Sequence, residues 1–356
     1  MMSDGTGTFE RKLGDGRVQC TVCPHHCSLR EGERGKCFVR RREDGHVVCT
    51  TYGKSSGFCI DPVEKKPLYH FLPGTPVLSL GTAGCNLSCS FCQNWHLSHS
   101  RQVATTAEEA APEAIARTAE RHGCRSVAFT YNEPVIYLEY AVDAARACRA
   151  RGIRTVAVTA GYISPGARRT FFAHMDAANV DLKAFSEDFY RRLCGVHLKP
   201  VLDTLVYLKH ETDVWLELTT LLIPGENDRD EELDAMTRWV VSELGPDVPL
   251  HFSAFHPAGE MNHVAPTSLE TLERARGIAR DNGLRFVYLG NISTVEAGRT
   301  YCPGCGARLI DRQGYRLRGW GLDEQGRCAS CGVVCPGVFE SGPGMWGPRC
   351  MPVEVG

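Results

Sequence analysis

The chain has 356 residues and nearly balanced charge, 40 Lys and Arg against 42 Asp and Glu, for a formal net charge of -2. That length holds one large domain with appendages, and the balance provides no basic field for nucleic acid. No apolar run reaches the ~20 residues of a membrane span, and the opening MMSDGTGTFERKLGDGR has no apolar signal region. The 18 cysteines are therefore read as metal-binding thiolates in a reducing cytoplasm rather than as a disulfide framework.

Cys20, Cys23, Cys27 and Cys37 come first, in a turn-rich segment (17–60) too thin in hydrophobic residues for its own core. A metal staple would help such a segment fold. The four thiols suit either an electron-relaying cluster or structural zinc, and His25 and His26 are further candidates. The run Arg40-Arg41-Arg42 reads as a solvated face. After a loop rich in Pro and Gly at 60–75, Val77, Leu78 and Leu80 make a short strand ending at Gly81 and Gly84.

Cys85-x3-Cys89-x2-Cys92 follows, on a loop at the end of that strand. Three thiolates on a cubane cluster leave one iron open. The rival is a Cys3His zinc site completed by His96 or His99. Of the scattered cysteines, Cys124 and Cys148 read as small buried hydrophobes.

Beyond residue 104 the pattern is regular. A helix is expected from a Thr105-Thr106 cap to about His122, then a strand at 126–130. A helix from Pro134 to Arg151 and a strand at 155–159 follow. Further strands are expected at 178–182, 214–223, 249–255 and 285–289, with helices at 165–174, 186–209, 229–243 and 268–281. The junctions 122–130 and 151–159 echo one another, and 282–289 does so more faintly, which marks repeating strand–helix units. Near-continuous apolar strands alternating with helices imply an α/β fold with a parallel sheet. The six or seven units are fewer than the eight of a closed barrel, so the expectation is an open, partial (β/α)6-type, TIM-like barrel. Three regions result: a cysteine-rich segment (1–74), the barrel (75–295) and a tail module (296–356).

Polar residues gather just past the strand ends, where such folds place catalysis: Tyr131, Asn132, Glu133, Thr159, Asp181, Lys183, His256 and Asn291. In the tail, Cys302-x2-Cys305 and Cys328-x2-Cys331 form two Cys-x-x-Cys-Gly knuckles, the signature of a zinc-ribbon-like module.

Cys85-x3-Cys89-x2-Cys92, with Phe91 before the last cysteine, resembles the signature of radical S-adenosylmethionine (SAM) enzymes. Stretches such as Cys-Thr-Val-Cys-Pro-His-His-Cys (20–27), Thr130-Tyr-Asn-Glu-Pro134 and Asp181-Leu-Lys-Ala-Phe185 resemble the glycyl-radical-activase-like branch. More narrowly, they are similar to the radical enzyme of the AmmeMemoRadiSam system. The resemblance implies a [4Fe-4S] cluster on Cys85, Cys89 and Cys92, with SAM on the open iron. One electron would cleave SAM to methionine and a hydrogen-abstracting 5′-deoxyadenosyl radical. It further implies Asn132, Glu133, Thr159, Asp181, Ile223 and Asn291 around SAM, with Ile223 against adenine, and Lys183 and His256 toward the ribose or substrate. Implied partners are a flavodoxin or ferredoxin and Memo-like and AMMECR1-like proteins. The alternatives are a glycyl-radical activase and a non-catalytic zinc adaptor.

Overall fold

The computed structural model describes residues 9–99, 108–292, 294 and 296–355. Its centre is one nine-stranded sheet. Seven consecutive neighbours are parallel: Pro76–Leu80, Ser126–Phe129, Arg154–Thr159, Ala177–Asp181, Trp215–Leu222, Leu250–Ala254 and Val287–Gly290. The strands are largely buried because helices and loops cover both faces. The three echoed junctions place a glycine at the same point of each turn, Gly123, Gly152 and Gly283. Their φ values are 65°, 69° and 103°, a region that glycine enters without a Cβ penalty.

Two strands lie outside the expected barrel segment. Phe58–Pro62 joins the sheet antiparallel to Pro76–Leu80, and Met351–Val353 pairs antiparallel to it in turn. The sheet therefore runs past both expected region boundaries. The helix expected from Thr105-Thr106 is present as Pro112–Arg121; the cap itself lies outside the described residues. The single helix expected over 186–209 is two pieces. A turn and π-helical segment (Tyr190–Cys194) stops at left-handed Gly195, and a new helix starts at Lys199. The break is useful. Ser88 and Ser90 donate backbone N–H bonds to the carbonyls of Cys194 and Leu193, at 2.9 and 3.0 Å, so residues 193–195 brace the cysteine loop.

Arg40 corrects the expectation of a solvated arginine face. It is buried, its guanidinium forked onto buried Glu139 (2.8 and 2.5 Å), with Nε donating to the Ile136 carbonyl (2.7 Å). Arg41 and Arg42 remain half-exposed. Cys124 and Cys148 are buried, as expected.

The tail forms a small antiparallel sheet, Thr300–Tyr301, Arg308–Gln313 and Arg316–Trp320. Buried Arg312 fastens it to the body: it donates to the carbonyls of Gly298 and Tyr69 and to Thr300 Oγ1, and stacks over the Tyr69 ring. The hydroxyl of Tyr288, on the last parallel strand, reaches both His70 (2.6 Å) and Thr300 (2.8 Å).

Candidate active site

Five of the parallel strands, and the loops that follow the other two, send residues to one cavity of about 760 Å³ at the C-terminal ends of the strands. That volume lies within the range of roughly 300–1,000 Å³ usual for ligand pockets. Cys85, Cys89 and Cys92 occupy one wall with Phe91. Asn132, Glu133, Thr159, Asp181, Lys183 and Asn291 line the cavity as well.

Gly81 and Gly84 set the loop's approach. A Cβ at Gly81 would lie 2.4 Å from the Thr130 carbonyl, and one at Gly84 2.3 Å from the Cys37 carbonyl. Asn132 holds the same turn: its Oδ1 accepts from Thr82 N (3.1 Å) and its Nδ2 donates to the Gly84 carbonyl (2.7 Å). The amide expected to bind cofactor is thus committed to shaping the entry of the cysteine loop. Leu87 N donates to Cys85 Sγ at 3.4 Å. Burial pushes the thiols of Cys85 and Cys92 up, while a hydrogen bond with Cys194, then burial, does so for Cys89. A loop of buried thiols becomes a set of thiolates when a positive metal centre arrives.

Next to the thiols, Glu133 Oε1 accepts from Thr159 Oγ1 (2.5 Å) and Val135 N (3.3 Å), and Oε2 from Ala160 N (2.6 Å). Burial outweighs these donors and pushes the carboxyl up to about 7. Lys183 donates to Asp181 Oδ2 at 2.9 Å. Burial alone would lower its pKa, but Asp181 and the sulfurs of Cys89 and Cys194 raise it well above the ordinary lysine range. The site thus sets a fixed cation beside the thiols and a near-neutral carboxyl on the adjoining strand ends.

Two predicted residues do not reach the cavity. Ile223 is fully buried outside its lining, and its N–H is used by Asn227 Oδ1 (2.7 Å); the apolar wall comes from Val158, Leu221, Leu289 and Ile292. His256 is exposed just beyond the rim, its Nε2 3.2 Å from the Asn291 carbonyl. The histidine in the cavity is His251, which donates to Glu217 Oε2 at 2.7 Å. Buried Glu217 also accepts from the backbone N–H groups of Tyr69 and His70 and from Trp215 Nε1. Burial pushes its carboxyl up, yet His251 foremost among its partners outweighs this and holds it below its ordinary value. Register puts Asp181, Thr219, His251 and Tyr288 in one row across four strands. A period-two reading of Thr219/Leu221 and His251/Ser253 could have found this inner face. Lys65, Lys66, Tyr131 and Tyr315 also line the cavity. Both lysines bond Asp61, which in turn accepts from Tyr131 Oη.

The thiol spacing bears on which metal group fits. A tetrahedral zinc with ~2.3 Å bonds brings its sulfurs to within about 4 Å of one another. Among the described residues only Cys302, Cys305, Cys328 and Cys331 bring three or more such ligand atoms within 4.8 Å. The Sγ pairs 302/331 and 305/328 stand at 3.5 and 3.7 Å. Cys85, Cys89 and Cys92 do not converge in that way, and neither His96 nor His99 joins them; His99 stacks on Trp95 at 3.6 Å. The loop therefore fits a cluster that spreads its thiolates, at the edge of a cavity roomy enough for a second ligand.

Residues 79–236 match the Radical SAM superfamily. The matched region is of the Radical SAM type, and the chain is an enzyme. It is 42% identical over 325 residues to the uncharacterized protein MJ0808 of Methanocaldococcus jannaschii, covering 91% of this chain and 96% of that one. It is 24% identical over 230 residues to pyruvate formate-lyase 1-activating enzyme of Escherichia coli, covering 58% of this chain and 89% of that enzyme. Among solved structures, a radical SAM methyltransferase from Sphaerobacter thermophilus aligns with 62% of this chain and 67% of its own, at a TM-score of 0.49 and 19% identity. No helix of the described residues is long and apolar enough to cross a membrane.

Proposed function

We propose that the cavity holds a [4Fe-4S] cluster on Cys85, Cys89 and Cys92 with SAM beside it, and that the enzyme abstracts hydrogen from a substrate bound in the same space. The observation that carries this reading is the opening of three spread thiols onto a cavity ringed by Glu133, Thr159, Asp181 and Lys183. When bound, cluster and SAM supply a one-electron cleavage to methionine and a 5′-deoxyadenosyl radical. The chain's part is to position and to shield. Glu133, once ionised, accepts from the cofactor's amino group, and Thr159 keeps that carboxylate oriented. Asp181 and Lys183 meet the polar groups of the cofactor, and Val158 and Leu221 give it an apolar surface. The lining shared by five adjacent strands and the loops after two more, each strand roughly 4.8 Å from the next, supports a sheet curved into an open, partial (β/α)6-type barrel. The tail quartet supports a structural zinc ribbon.

The physiological setting we favour is the AmmeMemoRadiSam system, with Memo-like and AMMECR1-like partners, a flavodoxin or ferredoxin as electron donor, and a cytoplasmic location in keeping with 18 free cysteines. A second reading, activation of a glycyl-radical enzyme, is favoured by the likeness to the pyruvate formate-lyase activating enzyme. Anaerobically reconstituted protein given SAM and dithionite should form 5′-deoxyadenosine, and Cys89→Ala should abolish it. Absence of product from cluster-loaded wild type would sink the proposal. A glycyl radical signal on an added partner would select the second reading.

A further inference from the structure

Cys20, Cys23, Cys27 and Cys37 line a second, separate cavity of about 20 Å³, together with His25, Gly35, Lys36 and Arg40. We propose that these four cysteines hold a second [4Fe-4S] cluster, with every iron capped by a cysteine, against the back of the Cys85 loop.

The backbone at Cys27 is arranged as at one cysteine of each of the other two sites. Lys36 N donates to Cys27 Sγ at 3.5 Å. Leu87 N treats Cys85 in the same way, and Gly304 N treats Cys302, each at 3.4 Å. N–H groups aimed at sulfur stabilise thiolate charge. Four sulfurs around one cavity make a ligand cage.

Spacing then decides between a single ion and a cluster. In the tail, four thiols close to zinc-like separations. In this cage no three of them come within 4.8 Å of one another, although all four face the same hollow. One zinc ion at ~2.3 Å from each sulfur cannot bridge that width, whereas a cubane core binds thiolates that stand farther apart. Gly35 keeps the wall thin, because a Cβ there would already touch Cys27 Sγ at 3.5 Å.

The cage and the cavity share a wall. His25 Nε2 lies 2.7 Å from the carbonyl of Asn86, the residue after Cys85, and the Cys37 carbonyl packs on Gly84. With four cysteines for four irons, none is left open for a substrate, so the group is suited to passing single electrons. One electron from an external one-electron donor takes it from the oxidised to the reduced state, and onward transfer restores it.

The test is the triple variant Cys85→Ala/Cys89→Ala/Cys92→Ala, reconstituted anaerobically with iron and sulfide. It should keep about four iron and four sulfide per chain, absorb near about 400 nm, and give a reduced-cluster EPR signal that SAM does not perturb. A folded triple variant with no iron and two zinc per chain would overturn the proposal. If that variant does not fold, the wild type decides: about eight iron with one zinc supports the cage cluster, and about four iron with two zinc refutes it. The two readings fail separately. Loss of the first cluster alone leaves wild type and triple variant with equal iron.

Discussion

Thr159 donates its hydroxyl proton to Glu133 at 2.5 Å, so the carboxyl at one strand end is held by its neighbour across the sheet. Burial still sets its charge, moving it from an ordinary value of 4.5 to about 7. A carboxyl with a raised folded-state pKa binds its proton more tightly in the folded chain than in the unfolded one. Its effect on stability is therefore unfavourable and grows as pH rises from about 4.5 to about 7. Cofactor-free wild type should lose on the order of 3 kcal/mol across that window through this group. Glu133→Gln should remove that slope in urea melts at pH 5 and 8. SAM affinity should move oppositely, weakening as pH drops below about 7, and Glu133→Gln should flatten that profile as well.

Lys183 is charged throughout the accessible range because Asp181 and nearby sulfurs more than offset its burial. Lys183→Ala should lower 5′-deoxyadenosine formation at least ~10-fold, the scale of one lost charged contact. Lys183→Arg should recover only part, since a planar guanidinium does not replace a point charge. Neither variant should change the alkaline limb of a pH profile between 8 and 9.5, because the wild-type lysine does not titrate there.

Gly84 has φ of 88° and faces the Cys37 carbonyl. Gly84→Ala should destabilise the protein by about 2 kcal/mol or more, since φ is positive there and the Cys37 backbone must yield. Because the same turn separates the two cysteine sets, iron retention should fall with it. Gly123→Ala, where a Cβ meets open space, should cost about 1 kcal/mol and spare the iron. Thermal melts and iron analysis on both variants check this.

Removing one member of the Arg40–Glu139 pair leaves a buried charge alone. Arg40→Ala should cost about 3–5 kcal/mol, while Arg40→Met/Glu139→Leu together should cost far less. Chemical denaturation of the two variants beside wild type makes the comparison.

The alternation of strand and helix was readable because parallel strands buried on both faces leave unbroken apolar runs such as Val127–Phe129. The cysteine spacings and the strand-end residues Glu133, Thr159, Asp181 and Lys183 were readable for the same reason, once strand ends could be counted. What stayed hidden depends on distant segments. Lys65, Lys66 and Tyr315 reach the cavity from a loop and a tail hairpin that carry no local mark of it. His251 was passed over for His256 because an in-strand histidine looks like core, and only its pairing with Glu217 reveals an inward polar row. Phe58–Pro62 is too short and too close to prolines to declare itself as sheet. Its outer partner lies far down the chain.

That last pairing has a consequence for biosynthesis. Met351–Val353 covers the free edge of Phe58–Pro62, yet the two leave the ribosome roughly 290 residues apart. At ~5–20 residues per second, this delay is on the order of tens of seconds. The nascent sheet thus waits with one flank unsatisfied while the cysteine sites are already synthesised, and the final strand acts as a late latch.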